Sequence, residues 1–139
     1  MNHIVSVYRL AHFNAAHRLY RKDWTDQKNR DVFGLCANPH WHGHNYKLEV
    51  CVSGEVDRET GYLIDLKDLN QMIQDQVIER FDHRNLNEDT QEFKDLNPTG
   101  ENIVWIIWQL LREKLDSRYR LSVKLWETDR NYFRFPAES

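Results

Sequence analysis

Only two cysteines, five glycines and three prolines occur in the 139 residues. Two cysteines cannot build a disulfide framework, and in a reducing compartment Cys36 and Cys51 both stay thiols. Glycine and proline are scattered, with no linker, repeat or low-complexity tract, so one domain over residues 1–139 is expected. No excess of one charge sign exists either. Nineteen basic and 22 acidic residues give a net charge of −3, and neither sign forms a block, which argues against a nucleic-acid groove or a polybasic membrane patch. The longest apolar run, Ile103 to Trp108, is far too short to span a bilayer. The opening MNHIVSVYRL lacks the basic start and long apolar middle of a secretory signal. The expectation is a cytoplasmic protein whose partner is a small molecule.

What the chain does contain is organised by period. Residues 4 to 13, IVSVYRLAHF, mix β-branched and aromatic residues at strand length, and from Tyr46 to Val52 the apolar residues Tyr46, Leu48, Val50 and Val52 alternate. The intervening residues 18 to 41 are charged and without period, which suggests a loop over a site. Leu66, Leu69, Ile73 and Val77 recur at helical spacing after Asp65, a natural N-cap, so residues 66 to 80 are expected to be helical. A second helix follows Pro98-Thr99, from about Glu101 to Leu115. Apolar residues cover almost every side of it, which points to oligomerisation. RLSVKLWE, residues 120 to 127, alternates again, and NYFRF beyond the Thr128-Asp129-Arg130 turn completes a hairpin. The order ββααββ reads as α+β, with an antiparallel sheet of four strands and both helices on one face.

The stretch GLCANPHWHGHNY puts Cys36 and three histidines at the mouth of a strand. His42 and His44 are two apart, so on a strand they share a side with Tyr46 and Leu48. Such a pair can grip one ion, or can be merely polar edge residues. His17 is the third candidate, because Phe13, Ala15 and His17 share a parity that turns its imidazole inward. Three neutral histidines would leave one zinc position open, as in catalytic sites. His40, after Pro39, reads as a rim or loop residue, with zinc ligation the lesser alternative. Cys36 is compatible with a poised base, a fourth metal ligand or a small buried filler. Cys51 reads as packing.

Asp82-His83 is a carboxylate-imidazole neighbour pair suited to proton transfer, or a helix-end cap. Glu127 takes the next place in the apolar row Leu121, Val123, Leu125. A carboxylate there is either a solvated strand end or a group awaiting a ligand with adjacent N–H donors, such as the guanidine-like edge of a pterin or guanine. Thr99 and Glu101 are an N-cap and a first-turn acid by position.

Taken in order, FNAAHRL, the cysteine five residues ahead of HGHNY, GEVDRETGYLIDLKDL, FDHRNL, PTGEN and WETD resemble the 6-pyruvoyltetrahydropterin synthase family over nearly the whole chain. The resemblance implies a tunnelling fold assembled as a homohexamer, a dimer of trimers, with active sites at subunit interfaces. It also implies zinc bound by His17, His42 and His44, Cys36 as catalytic base poised by Asp82 and His83, and Glu127 anchoring the pterin ring. Thr99 and Glu101 resemble further pocket residues. Gly100 departs from the pattern, since relatives usually carry Ser or Thr there. The implied substrate is 7,8-dihydroneopterin triphosphate, which loses triphosphate to give 6-pyruvoyltetrahydropterin. Arg18, Arg21, Lys22, Lys28 and Arg30 are candidates to attract the triphosphate. An alternative branch makes 6-carboxytetrahydropterin for queuosine and other deazapurines, releasing acetaldehyde as well. The five-residue gap after Cys36 looks more like the biopterin branch.

Overall fold

The computed structural model describes residues 3–138. Two long strands dominate it: β1 (Ile4–His17) and β2 (His42–Glu55), antiparallel from Ile4↔Glu55 to His17↔His42. After α1 (Asp26–Phe33) in the β1–β2 connection come α2 (Leu66–Ile73), a π turn (Gln74–Ile78), α3 (Glu79–Phe81), β3 (Arg84–Asn85) and α4 (Leu86–Asp89). The chain closes with α5 (Gly100–Lys114), β4 (Arg120–Trp126) and β5 (Tyr132–Phe135). The strand order is β3-β1-β2-β4-β5.

The sheet therefore has five strands and is mixed, where four antiparallel strands were expected. The addition is β3, which pairs parallel to β1 through Ala15↔Arg84 and Ala16↔Asn85. Two residues carry no periodic signal, so nothing in the sequence announces them. The bare ββααββ order is likewise interrupted by α1 and α4. Helix α1 buries only Asn29 and rests on polar contacts: Thr25 caps it by accepting from Lys28 N, and Asn29 Nδ2 donates to the Arg21 and Thr25 carbonyls. Its charged sequence hides a helix that apolar periodicity cannot reveal.

Alternation sets which face is buried. Ala11, Phe13 and Ala15 of β1, Tyr46, Leu48, Val50 and Val52 of β2, and Leu121, Val123 and Leu125 of β4 join Leu69, Ile73, Val77, Phe81, Ile103, Ile107 and Leu111 in one core. Fully burying each large aliphatic side chain contributes roughly 1.5–3 kcal/mol. Asp65 and Thr99 cap α2 and α5 by accepting from Lys67 N and Asn102 N. Helix α5 hides more of its apolar surface than its sequence suggests. Trp108 is half-buried, donates Nε1–H to the Leu121 carbonyl at 2.9 Å and meets Phe135 edge-on. Only Trp105 among its large apolar residues counts as exposed. Unpartnered apolar area lies instead on the other sheet face, where Tyr8 and Leu10 are exposed, and at Leu35, which is 90% exposed. Cys51 sits on that open face, half-buried, outside the core.

Candidate active site

The β1–β2 register brings the histidines together. His17 faces His42 across the strand pair, and Ala15 faces His44, so a methyl group leaves room between the rings. Ring centroids lie 4.5 Å apart for His17–His42, 5.1 Å for His17–His44 and 5.0 Å for His42–His44. One ligand atom from each falls within 4.8 Å of the others. Beneath them Tyr46 stacks on Phe13 at 4.9 Å and meets His44 at 5.6 Å, an aromatic floor that limits the rings' movement.

Protonation favours a cation. The Pro98 carbonyl can only accept, so His17 Nδ1, 2.7 Å away, carries the hydrogen and Nε2 presents its lone pair. Burial pushes His17 down to about 4, with His42 and His44 adding to the shift. Burial also lowers His42 and His44. All three are thus neutral near pH 7. His44 Nε2 is buried and has no hydrogen-bond partner among the described residues. A buried orphaned nitrogen is costly unless something else binds it. Three neutral imidazoles with converging nitrogens, of which His17 Nε2 meets the Tyr46 hydroxyl at the long distance of 3.5 Å, fit zinc, and the group contains no thiol.

Glu127 follows β4 one step past the Lys47–Trp126 pair, held by its N–H to the Asn131 carbonyl at 3.1 Å. Its Oε1 is 3.8 Å from His44 Nε2. Burial raises its pKa, His42 opposes the rise and Glu101 reinforces it. The carboxylate is therefore partly desolvated beside the imidazoles, with Glu101 close enough to be felt. This decides against a fully solvated strand end. Thr99 spends an oxygen lone pair on its cap, and Gly100 packs against Phe133: a Cβ there would lie 2.1 Å from the ring.

Cys36 lies in a short 3₁₀ turn, Gly34–Ala37, half-buried. Its carbonyl accepts from Leu19 N at 2.7 Å, tying the turn to the end of β1. Asp82 and His83 are elsewhere. Asp82 accepts from Asn14 N at 2.8 Å, His83 N–H reaches the Asn14 carbonyl at 2.6 Å, and the two side chains pair at 3.0 Å. The Asn14 N–H bond first, then the His83 contact, hold the Asp82 carboxyl below its ordinary pKa. The His83 side chain is 84% exposed, and among the described residues no hydrogen bond, ion pair or ring contact joins the pair to the three imidazoles. His40 is exposed, its N–H bound to Asn38 Oδ1.

The loop cations are mostly engaged. Arg18 donates to the Ala37 carbonyl, Arg21 is clasped by Asp23, Lys28 lies over Trp24 and Arg30 reaches Gln27. Arg21 and Lys28 in particular are held by the loop itself. Residues that sequence reasoning passed over are Pro98, which fixes the His17 tautomer, and Tyr46, which floors the cluster. Pro98 was visible only as helix punctuation; the alternation marked Tyr46 as core and no more.

A sheet end that presents three neutral imidazoles beside a half-buried carboxylate defines a candidate metal site of an α+β protein. The chain belongs to the 6-pyruvoyl tetrahydropterin synthase family, whose model matches residues 6–138. It is 41% identical over 132 residues to a Pongo abelii protein named 6-pyruvoyl tetrahydrobiopterin synthase, covering 95% of this chain and 91% of that one. The Homo sapiens protein of the same name is 40% identical with the same coverage. The solved structure of Caenorhabditis elegans 6-pyruvoyl tetrahydropterin synthase superposes with a TM-score of 0.90 at 35% identity, covering 97% of this chain and 96% of that one.

Proposed function

We propose that this chain is a zinc-dependent carbon–oxygen lyase that converts 7,8-dihydroneopterin triphosphate to 6-pyruvoyltetrahydropterin with elimination of triphosphate. The observation that carries the reading is the cluster His17, His42 and His44, neutral and mutually converging, with Glu127 3.8 Å from His44. Relatives named for this activity at 40% identity over most of the chain support it.

His17, His42 and His44 would hold the zinc, which supplies Lewis-acid polarisation of a substrate hydroxyl or carbonyl oxygen. The Pro98 carbonyl keeps the His17 lone pair aimed at that position. Glu127 accepts the adjacent N–H donors of the pterin edge, which fixes the ring and leaves the three-carbon side chain toward the imidazoles. The Cys36 thiolate removes a carbon-bound proton from that side chain. His83, oriented by Asp82, returns and removes protons during tautomerisation. Thr99 and Glu101 complete the pocket at the start of α5.

Asp82 and His83 sit at the outer edge of β1, so their part in this chemistry calls for a second subunit, and a homohexamer with sites at its interfaces is the assembly proposed. Mixing Cys36→Ala with His83→Ala protein, each inactive alone, should then restore part of the activity. The primary test is incubation of the zinc-loaded protein with dihydroneopterin triphosphate and identification of products by mass spectrometry. 6-Pyruvoyltetrahydropterin and triphosphate are expected. 6-Carboxytetrahydropterin with acetaldehyde would assign the protein to the other branch, and unchanged substrate would reject the reading.

A further inference from the structure

The three residues that end β1 and leave it do three connected things. His17 turns its imidazole into the metal cluster. Arg18 sends Nη2–H to the Ala37 carbonyl at 2.7 Å. Leu19 N–H donates to the Cys36 carbonyl, also at 2.7 Å. The carbonyl of Cys36 and that of the residue after it are therefore both fastened to the two residues that follow a metal ligand. The 3₁₀ turn carrying the thiol has no side-chain cap of its own. Its position relative to the imidazoles is set from outside, and among the described residues Arg18 is the one side chain hydrogen-bonded to its backbone.

Arg18 is itself tightly held. Its guanidinium lies 4.0 Å from the centre of the Tyr20 ring and 5.6 Å from that of Trp41. Its backbone is clasped by Asn87, which accepts from Arg18 N and donates to Arg18 O, both at 3.0 Å. Trp41, with φ at +67°, sits immediately before His42. The cation thus touches the Cys36 turn on one side and reaches the segment entering the second histidine strand on the other. Meanwhile Arg18 Nε is buried without a hydrogen-bond partner among the described residues. A buried donor left unpaired costs stability, while the bonds the guanidinium does make fall on the Cys36 turn and on the rings beside it.

We infer that Arg18 is a positioning residue for the Cys36 thiol, fixing the turn that carries it against the three-histidine centre. It acts through the Ala37 carbonyl, not through contact with substrate. The inference rests on the proposed role of Cys36 as base, but its geometric half can be read without any substrate.

The test uses full-length protein in a Cys51→Ser background, so that Cys36 is the only thiol, with Arg18→Met retaining the apolar stem and removing the fork. Zinc content and far-UV circular dichroism should match the parent. kcat should fall about a hundredfold, the scale expected when a reacting group is misplaced by about 1 Å, while KM stays within about threefold. The rate of Cys36 alkylation by iodoacetamide in the zinc-loaded protein should change severalfold, and millimolar guanidinium should recover part of the lost kcat. If Arg18→Met fails to fold, Tyr20→Leu removes the ring under the guanidinium and should move kcat and alkylation in the same directions by smaller factors. A fully metallated Arg18→Met protein with parental kcat and parental alkylation rate would overturn the inference. So would loss of zinc with alkylation unchanged, which would make Arg18 a support for His17 alone. If the parent itself turns over no pterin while alkylation still responds to Arg18, the proposed reaction fails and the positioning role stands.

Discussion

A methyl group added at Gly100 tests the start of α5 more sharply than any other single change. The added Cβ would lie 2.1, 2.4 and 2.5 Å from Cε2, Cζ and Cδ2 of Phe133. Carbon atoms rest comfortably at roughly 3.5–4.0 Å, so the ring must retreat by more than an ångström. Phe133 belongs to the edge strand β5, pairs with Leu125 and is packed against the core. Overpacking of this kind costs about 1–3 kcal/mol. Against it stands the gain from replacing glycine in a helix, about 0.5–1 kcal/mol. Gly100→Ala should therefore destabilise by up to about 2.5 kcal/mol.

The sign should reverse once the ring is gone. In a Phe133→Val background the clash disappears and the helical gain remains, so Gly100→Ala should stabilise by about 0.5–1 kcal/mol. Chemical denaturation of the four proteins at one protein concentration, metal-free, measures both steps and their coupling. A Gly100→Ala protein more stable than the parent would refute the reasoning, because it would mean that the Phe133 ring yields freely. Equal effects in both backgrounds would refute it too. Glu101 follows Gly100 directly, so a shifted helix start should also weaken pterin binding.

The histidine centre makes the metal-free protein acid-sensitive. His17 is held down to about 4 while an unfolded histidine titrates near 6.5, so between those values the unfolded chain binds more protons and stability falls as pH drops. His17 alone accounts for about 3 kcal/mol; urea midpoints in chelator that stay flat from about pH 7 to about pH 5 would contradict it. Glu127→Gln should weaken pterin binding by about thirty-fold to several hundred-fold, the equivalent of about 2–4 kcal/mol, without lowering stability. Titration with neopterin beside thermal melts checks both, and near-equal affinities would end the anchor role. Cys36→Ala should keep one zinc per subunit by metal analysis and lose most turnover; loss of zinc would make the thiol a ligand.

Much of the sheet was legible because alternation reports burial directly. Tyr46, Leu48, Val50 and Val52, spaced by two, are all fully buried, and the same parity that marks Phe13 and Ala15 carries His17 inward. The caps at Asp65 and Thr99 are where their residue types put them. The elements that escaped share a physical reason. Helix α1 is held by Thr25 and Asn29 through hydrogen bonds and has no apolar stripe. Strand β3 is two residues whose pairing depends on a distant partner, Ala15 and Ala16. The all-round apolar look of α5 overstated its exposure, since β4 and β5 cover Trp108 and its neighbours, a tertiary fact that no helical wheel contains.

The Asp82-His83 pair, proposed above for proton transfer, carries a backbone feature that its sequence does not announce. Asp82-His83 was visible as a dipeptide, but its meaning lies in the bonds that hold it: Asn14 N–H to the carboxylate and His83 N–H to the Asn14 carbonyl. To make the second bond His83 takes a left-handed backbone, φ +61°, which a residue with a Cβ adopts at a cost of about 1–2 kcal/mol. No burial offsets it, because the imidazole is 84% exposed. The strain is therefore met without burial, on an exposed ring oriented by its own carboxylate. It becomes reasonable if the ring works on a surface brought to it, beside a β1 whose open face leaves Tyr8 and Leu10 uncovered. In the proposed assembly the three-histidine cluster and the Asp82-His83 pair would be two halves of one site, and association of subunits is what would bring them within reach of one substrate.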